Sequence, residues 1–122
     1  MRKPANMIAA ASTVAILLGS LTCLSTPALA DEALIKQGKK VAENRRKGNC
    51  VTCHAYEGAN MPGTIGPPLV AMKARFPDKQ KLYNQIWDAT KTNPHTSMPP
   101  FGKHQILSDQ EIKAVTEWVY SL

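Results

Sequence analysis

Cysteine and strand-forming sequence are both scarce in this chain. Its 122 residues include only three cysteines, and two of these, Cys50 and Cys53, belong to one short motif. A framework of disulfides is therefore excluded. The alternating apolar and polar runs, rich in Val, Ile and Thr, that indicate β-strands are missing, as are internal repeats and low-complexity tracts. The length allows one domain and excludes a multidomain enzyme.

The N-terminus has the organisation of an export signal. A basic start precedes an apolar run over about residues 7–24, and the small-x-small sequence Ala28-Leu29-Ala30 follows. This layout is typical of a secretory signal peptide. We therefore predict that residues 1–30 are cleaved and that residues 31–122 form a periplasmic domain with no membrane span. An uncleaved anchor is the alternative, and a lipoprotein signal at Cys23 is disfavoured by Thr22.

Positive charge exceeds negative charge but does not indicate a nucleic-acid partner. The chain has 15 basic and 9 acidic side chains, and loss of Arg2 and Lys3 with the signal would lower the net charge from +6 to +4. The remaining charge is spread over helix faces. One basic cluster is expected to be a solvated face or a docking surface, and it comprises Lys39, Lys40, Arg45, Arg46 and Lys47.

Helical periodicity in three segments predicts an all-α fold. The first segment covers about residues 31–47 and the second about residues 78–91. The third starts at the capping box formed by Ser108 and Glu111 and continues to the C-terminus. Two loops rich in Pro and Gly separate the helices, one over residues 58–68 and the other over residues 93–102. Long ordered loops in so small a domain usually enclose something.

The sequence Cys50-Val51-Thr52-Cys53-His54 is a C-x-x-C-H motif, which is typical of covalent haem c attachment. Cysteines three positions apart on a turn face the same side, where each thiol can add to one vinyl group of the porphyrin. His54 then offers a ring nitrogen to the iron as the proximal ligand. A redox disulfide would need a preceding strand, and a structural zinc site would need four ligands. We expect one covalent haem c.

The distal iron ligand is less well determined by the sequence. Met98 is favoured because two prolines follow it in a rigid loop beyond the middle helix. A methionine and a histidine as axial ligands would leave no open site on the iron, so the haem would transfer electrons and catalyse no reaction by itself. An open iron site that binds or activates a ligand is the alternative. The other candidate distal ligands are Met61, Met72, His95 and His104.

These residues together resemble the class I c-type cytochromes. The resemblance rests on the first helix with Gly38, the C-x-x-C-H motif, the sequence Gly66-Pro67-Pro68-Leu69, the methionine loop and the aromatic terminal helix. It implies an all-α fold in which three or more helices and Pro/Gly-rich loops enclose one covalent haem. It also implies that the first and last helices cross, with Gly38 against Trp118.

Several further stretches resemble the SoxX family, the monohaem subunits of thiosulfate-oxidising SoxAX complexes. They are Gly48-Asn49-Cys50, Ile65 to Leu69, Met72 to Pro77, Ile86 to Thr90, and Asn93-Pro94 leading to Met98-Pro99-Pro100-Phe101-Gly102. The resemblance implies an electron-transfer subunit that pairs with a SoxA-like haem subunit, in which the catalytic site lies. It also implies a transient encounter with a SoxYZ-like carrier and transfer of electrons to an acceptor cytochrome. A free-standing periplasmic electron shuttle remains the alternative.

Overall fold

The computed structural model describes residues 27–122, and every regular element in that range is helical. Helix α1 covers Pro27–Glu43, α2 Met72–Arg75, α3 Lys79–Trp87 and α4 Asp109–Tyr120. Two short 3-10 turns, Cys50–Thr52 and Ala89–Lys91, complete the set. The prediction of an all-α fold with long connecting loops is confirmed. The predicted signal sequence lies largely outside the described residues.

Within the described residues, helix α1 covers Pro27–Glu43, so it includes residues before the predicted segment 31–47 and ends four residues earlier than predicted. It ends at Glu43 because the Asn44 side chain accepts the backbone N–H of Arg46 at 2.8 Å, which competes with a further helical turn. The Gly48 N–H then bonds back to the Val41 carbonyl at 3.2 Å and directs the chain toward the C-x-x-C-H motif.

The middle helix is shorter than predicted. Asp78 accepts the backbone N–H of Gln80 at 2.9 Å and caps the start of α3. The helix stops at Trp87 because the side chain of Asp88 accepts from the backbone of Thr90 at 3.1 Å and caps a separate 3-10 turn. The periodicity over residues 78–91 therefore spans two elements.

Helices α1 and α4 cross at Gly38. A Cβ atom at this position would lie 1.9 Å from the Ala114 carbonyl oxygen and 2.9 Å from Cβ of Trp118, so only glycine permits the approach. The predicted proximity of Gly38 and Trp118 is confirmed. Trp118 is buried and meets the Tyr56 ring edge-on, with 5.0 Å between the ring centroids.

Helix α4 supplies much of the core. The predicted capping box is present, with the Ser108 hydroxyl accepting from the Glu111 N–H and the Glu111 carboxylate accepting from the Ser108 N–H. The face toward α1 and α3 is buried and consists of Ile112, Ala114, Val115, Thr116, Trp118 and Val119. No helix within residues 27–122 is long and apolar enough to cross a membrane.

Candidate functional site

The C-x-x-C-H motif forms a tight turn at the wall of a cavity. The Cys50 carbonyl accepts the N–H of Cys53 at 3.2 Å and that of His54 at 2.9 Å, so the motif turns back on itself. All three side chains line the cavity. Gly48 brings the chain close to α1, since a Cβ there would lie 2.9 Å from the Val41 carbonyl oxygen.

The His54 ring is held on one side by its own loop. Its Nδ1 lies 2.6 Å from the Pro67 carbonyl oxygen, which can only accept, so Nδ1 carries the hydrogen. In the neutral ring this tautomer leaves the lone pair of the other nitrogen, Nε2, for an electrophile or a metal. A Cβ at Gly66 would lie 2.4 to 2.8 Å from three atoms of the ring, so the glycine lets the loop pass directly against His54.

The cavity has a volume of about 730 Å³, within the range of about 300–1,000 Å³ found for ligand sites. Its walls come from the C-x-x-C-H turn, the loop after it, α2, α3, the loop carrying Met98, and one face of α4. Most of the inner lining is apolar and includes Leu69, Phe76, Leu82, Ile86, Phe101, Leu107, Val115 and Val119. A large, flat, mainly apolar group would bury its surface well here.

The candidate distal ligands separate into two groups. Met98, Met72 and His95 line the cavity, whereas Met61 and His104 are exposed elsewhere. Met72 is 2% exposed, and its sulfur accepts from the Arg75 guanidinium at 3.4 Å, which favours a role as a core residue over a role as a ligand. Met98 is half-buried, and its backbone N–H bonds to the Thr96 hydroxyl at 3.1 Å. His95 is exposed at the margin of the cavity.

Arg75 connects two walls of the cavity, a role that the sequence pattern did not indicate. Its guanidinium donates to the Pro68 carbonyl at 2.7 Å and to the Met72 sulfur at 3.4 Å. Pro68 directly follows the residue that accepts from His54. Arg75 therefore joins α2 to the loop that holds the imidazole. The one sequence signal for this role of Arg75 is a basic residue in the last turn of a short helix. A helix of four residues shows no clear periodicity, so the sequence alone did not reveal the role.

The basic cluster predicted as a surface is divided by the fold. Arg45, Arg46 and Lys47 line the cavity beside the C-x-x-C-H turn. Lys39 and Lys40 face a separate shallow cleft on α1. Lys47 is paired with Glu111 of α4, and this ion pair holds the pKa of the Glu111 carboxyl below its usual value.

The chemistry of the donor set fits a c-type haem. Cys50 and Cys53 are unpaired thiols on one turn, and burial raises the pKa of the Cys50 thiol to about 11. Because both thiols are unpaired and line the cavity, they are available for attachment to a group inside it. His54 offers an imidazole nitrogen, and a thioether sulfur is present on the Met98 loop. Soft sulfur and imidazole around an apolar cavity are typical of haem iron in cytochromes.

Comparisons with known proteins agree with this geometry. The family profile described as "Cytochrome C oxidase, cbb3-type, subunit III" matches residues 33–119. A chain in the crystal structure of SoxXA from P. pantotrophus superposes with a TM-score of 0.63 at 26% identity, covering 70% of this chain and 79% of that one. An uncharacterized lipoprotein of Aquifex aeolicus (strain VF5) is 28% identical over 93 residues, or 72% of this chain. The chain spans 45% of the length of that relative.

Proposed function

Because the chain belongs to the cytochrome family described as cytochrome c oxidase, cbb3-type, subunit III, and is a SoxX-like class I cytochrome c, we propose that it serves a SoxAX-type complex. In this proposal it is the haem electron-transfer subunit of periplasmic thiosulfate oxidation. It accepts electrons released when thiosulfate is joined oxidatively to a cysteine of a SoxYZ-like carrier. It then passes them to an acceptor cytochrome. The observation that carries the proposal is the similarity to a chain of SoxXA over 79% of that chain.

The proposed site uses the residues that line the cavity. Cys50 and Cys53 attach one haem c through thioether bonds, His54 is the proximal iron ligand and Met98 the distal one. The haem supplies a one-electron couple when bound. Pro67 orients His54 by accepting its Nδ1 hydrogen, so Nε2 is the nitrogen that would bind the metal. The apolar walls exclude water from the group and limit reorganisation around it.

With His54 and Met98 as its ligands, the haem iron would have no open position for a substrate. The bond-forming step is therefore assigned to the partner, a SoxA-like haem subunit in a heterodimer, and this chain carries no catalytic residue of its own. Residues 1–30 are proposed to be a cleaved signal peptide that delivers residues 31–122 to the periplasm. Neither nucleic acid nor a membrane-spanning segment of the mature chain enters the proposal.

A free-standing periplasmic electron shuttle is the second candidate. It is consistent with the matching profile over residues 33–119, which describes a cytochrome subunit without specifying a sulfur substrate. The shuttle would use the same haem and the same ligands. The two candidates differ only in whether the protein has a stable partner subunit.

The ligand set is tested by the spectrum of the purified holoprotein. A pyridine haemochrome typical of two thioether bonds is expected, and Cys50→Ser and Cys53→Ser should each shift it toward that of a haem with one thioether. Met98→Ala should abolish the weak long-wavelength sulfur-to-iron band of the ferric protein. Met61→Ala is the matched control, because Met61 is 82% exposed and lies away from the cavity. Persistence of the band in Met98→Ala would exclude Met98 as a ligand.

The thiosulfate role is tested by co-expression with a SoxA-like subunit and a SoxYZ-like carrier. A stable heterodimer on size-exclusion chromatography, and reduction of this haem by thiosulfate only when both proteins are present, are expected. A chain that stays monomeric beside the SoxA-like subunit, yet exchanges electrons with small cytochromes, would support the shuttle instead.

A further inference from the structure

The loop that carries Met98, residues 92–102, is closed at its base by a single carbonyl. The Trp87 carbonyl accepts the N–H of Gly102 at 3.0 Å and that of Lys103 at 3.2 Å. A Cβ at Gly102 would lie 2.1 Å from the Trp87 indole, so the returning chain passes directly against this ring. The chain that leaves the Met98 loop is thus bonded to the end of α3, next to Asp88.

Asp88 is a buried carboxylate at this closure. Its side chain is 1% exposed and lies 3.3 Å from the Lys103 ammonium. It also accepts from the backbone N–H of Thr90 at 3.1 Å and from the Thr90 hydroxyl. These bonds hold the pKa of the Asp88 carboxyl below its usual value, since they favour the charged form. A buried charge is tolerated only with such partners, so the ion pair between Asp88 and Lys103 is an integral part of the loop base.

A continuous series of hydrogen bonds runs from Asp88 to Met98. Asp88 caps the 3-10 turn Ala89–Lys91, and the Ala89 carbonyl accepts the N–H of Asn93 at 3.1 Å. The Asn93 carbonyl accepts the N–H of Thr96 at 3.1 Å, and the Thr96 hydroxyl accepts the N–H of Met98 at 3.1 Å. Each bond fixes the start of the next turn, so the placement of Met98 depends on the residue at the beginning of the series.

We propose that Asp88 and Lys103 are positioning residues that hold the Met98 thioether on the iron. The inference rests on the proposed function, in which Met98 is the distal ligand. Neither residue lines the cavity, so both act through the backbone of the Met98 loop. Breaking the pair leaves the haem attachment and His54 untouched and releases only the loop. The expected consequence is a distal position that exogenous ligands enter more easily.

The experiment compares two lysine variants of the ferric holoprotein. Lys103→Met removes the partner of the buried Asp88 carboxylate. Lys113→Met is the matched control, because it removes an equal charge from an exposed pair with Asp109, in which the two side chains are 63% and 58% exposed. Affinity for imidazole, which must displace the distal sulfur, should rise about tenfold in Lys103→Met and stay unchanged in Lys113→Met. Lys103→Arg, which keeps the charge, should restore most of the native affinity.

Amide hydrogen exchange over residues 92–99 provides a readout that does not depend on the iron. Exchange should be faster in Lys103→Met and in Asp88→Asn, with α1 and α4 unchanged. Equal exchange and equal imidazole affinity in Lys103→Met and Lys113→Met would overturn the inference. Faster exchange with unchanged imidazole affinity would instead overturn the assignment of Met98, because the pair would then hold a loop that carries no ligand.

Discussion

The two sides of the cavity differ in how each candidate ligand is held. On one side, His54 is fixed by a carbonyl and a glycine from the loop that follows it, Pro67 and Gly66. On the other side, Met98 has a half-buried side chain at the end of a hydrogen-bond series that begins at Asp88. The first arrangement combines one hydrogen bond with close packing against the ring. The second depends on a long loop that is flanked by an ion pair between Asp88 and Lys103.

This difference predicts which side of the cavity opens first when the protein is destabilised. A packed contact has little freedom to relax, so a disturbed imidazole should be lost together with the local fold. A loop closed by hydrogen bonds and one ion pair can open while the core stays intact. We therefore expect the proximal side to be the rigid support of the site and the distal side to be its adjustable part.

The largest effect is expected for Gly66→Ala. The new Cβ would lie 2.4 Å from Cε1 of His54, and the ring cannot move away without breaking its bond to Pro67. Overpacking of this kind should cost about 3 kcal/mol of the free energy of unfolding. Urea unfolding and the yield of haem-containing protein measure the loss. Gly58→Asn is the control, because no atom lies within 4 Å of a Cβ there and asparagine tolerates a φ of +79°. Equal stability of both variants would contradict a steric support for His54.

The counterpart on the distal side is Gly102→Ala. Its Cβ would lie 2.1 Å from the Trp87 indole, but this ring is only half-buried and can rotate aside. The expected cost is about 1–2 kcal/mol of the free energy of unfolding, smaller than that of Gly66→Ala. Loss of the sulfur-to-iron band before global unfolding would show that the loop opens separately. A cost as large as that of Gly66→Ala, with a single transition, would remove the distinction between the two sides.

A helix boundary can be predicted from the sequence when the interactions that set it lie within one turn and follow a known pattern. Helix α4 was predicted correctly because Ser108 and Glu111 form its capping box within one turn. The predicted C-terminal ends of α1 and α3 were wrong, because the side chains of Asn44 and Asp88 accept hydrogen bonds from nearby backbone N–H groups and end each helix early. Helix α2 is too short for any periodic pattern.

The candidate site divides in the same way. The spacing of Cys50, Cys53 and His54 predicts three side chains on one turn, and in the structure that turn lines the cavity. The Pro67 carbonyl and the ion pair of Lys103 with Asp88 join residues 13 and 15 positions apart. Contacts of this kind leave no periodic trace in a single sequence, so only the folded chain reveals them.

Low pH should weaken the distal side more than the proximal side, because the distal side depends on the buried carboxylate of Asp88. The folded pKa of Asp88 lies below its ordinary value of 3.8, so its contribution is complete well above that value and is lost as pH falls through the folded pKa. At pH 7, Asp88→Asn should raise the unfolding equilibrium constant about tenfold. The difference from the native protein should vanish in strong acid, as measured by urea unfolding across pH. A difference independent of pH would show that the charge of Asp88 is irrelevant.

The smallest effect is expected for Arg75→Met, which tests whether the proximal side depends on more than steric contact. The guanidinium bond to Pro68 is 2.7 Å long, but the arginine is exposed, so its loss should cost about 0.5–1 kcal/mol of the free energy of unfolding. Lys81→Met controls for the lost charge, since Lys81 is exposed on α3. The spectrum of the holoprotein should stay unchanged, because Gly66 and Pro67 still hold His54. A weakened proximal ligand in Arg75→Met would mean that the imidazole, like the thioether, is positioned through a charged side chain.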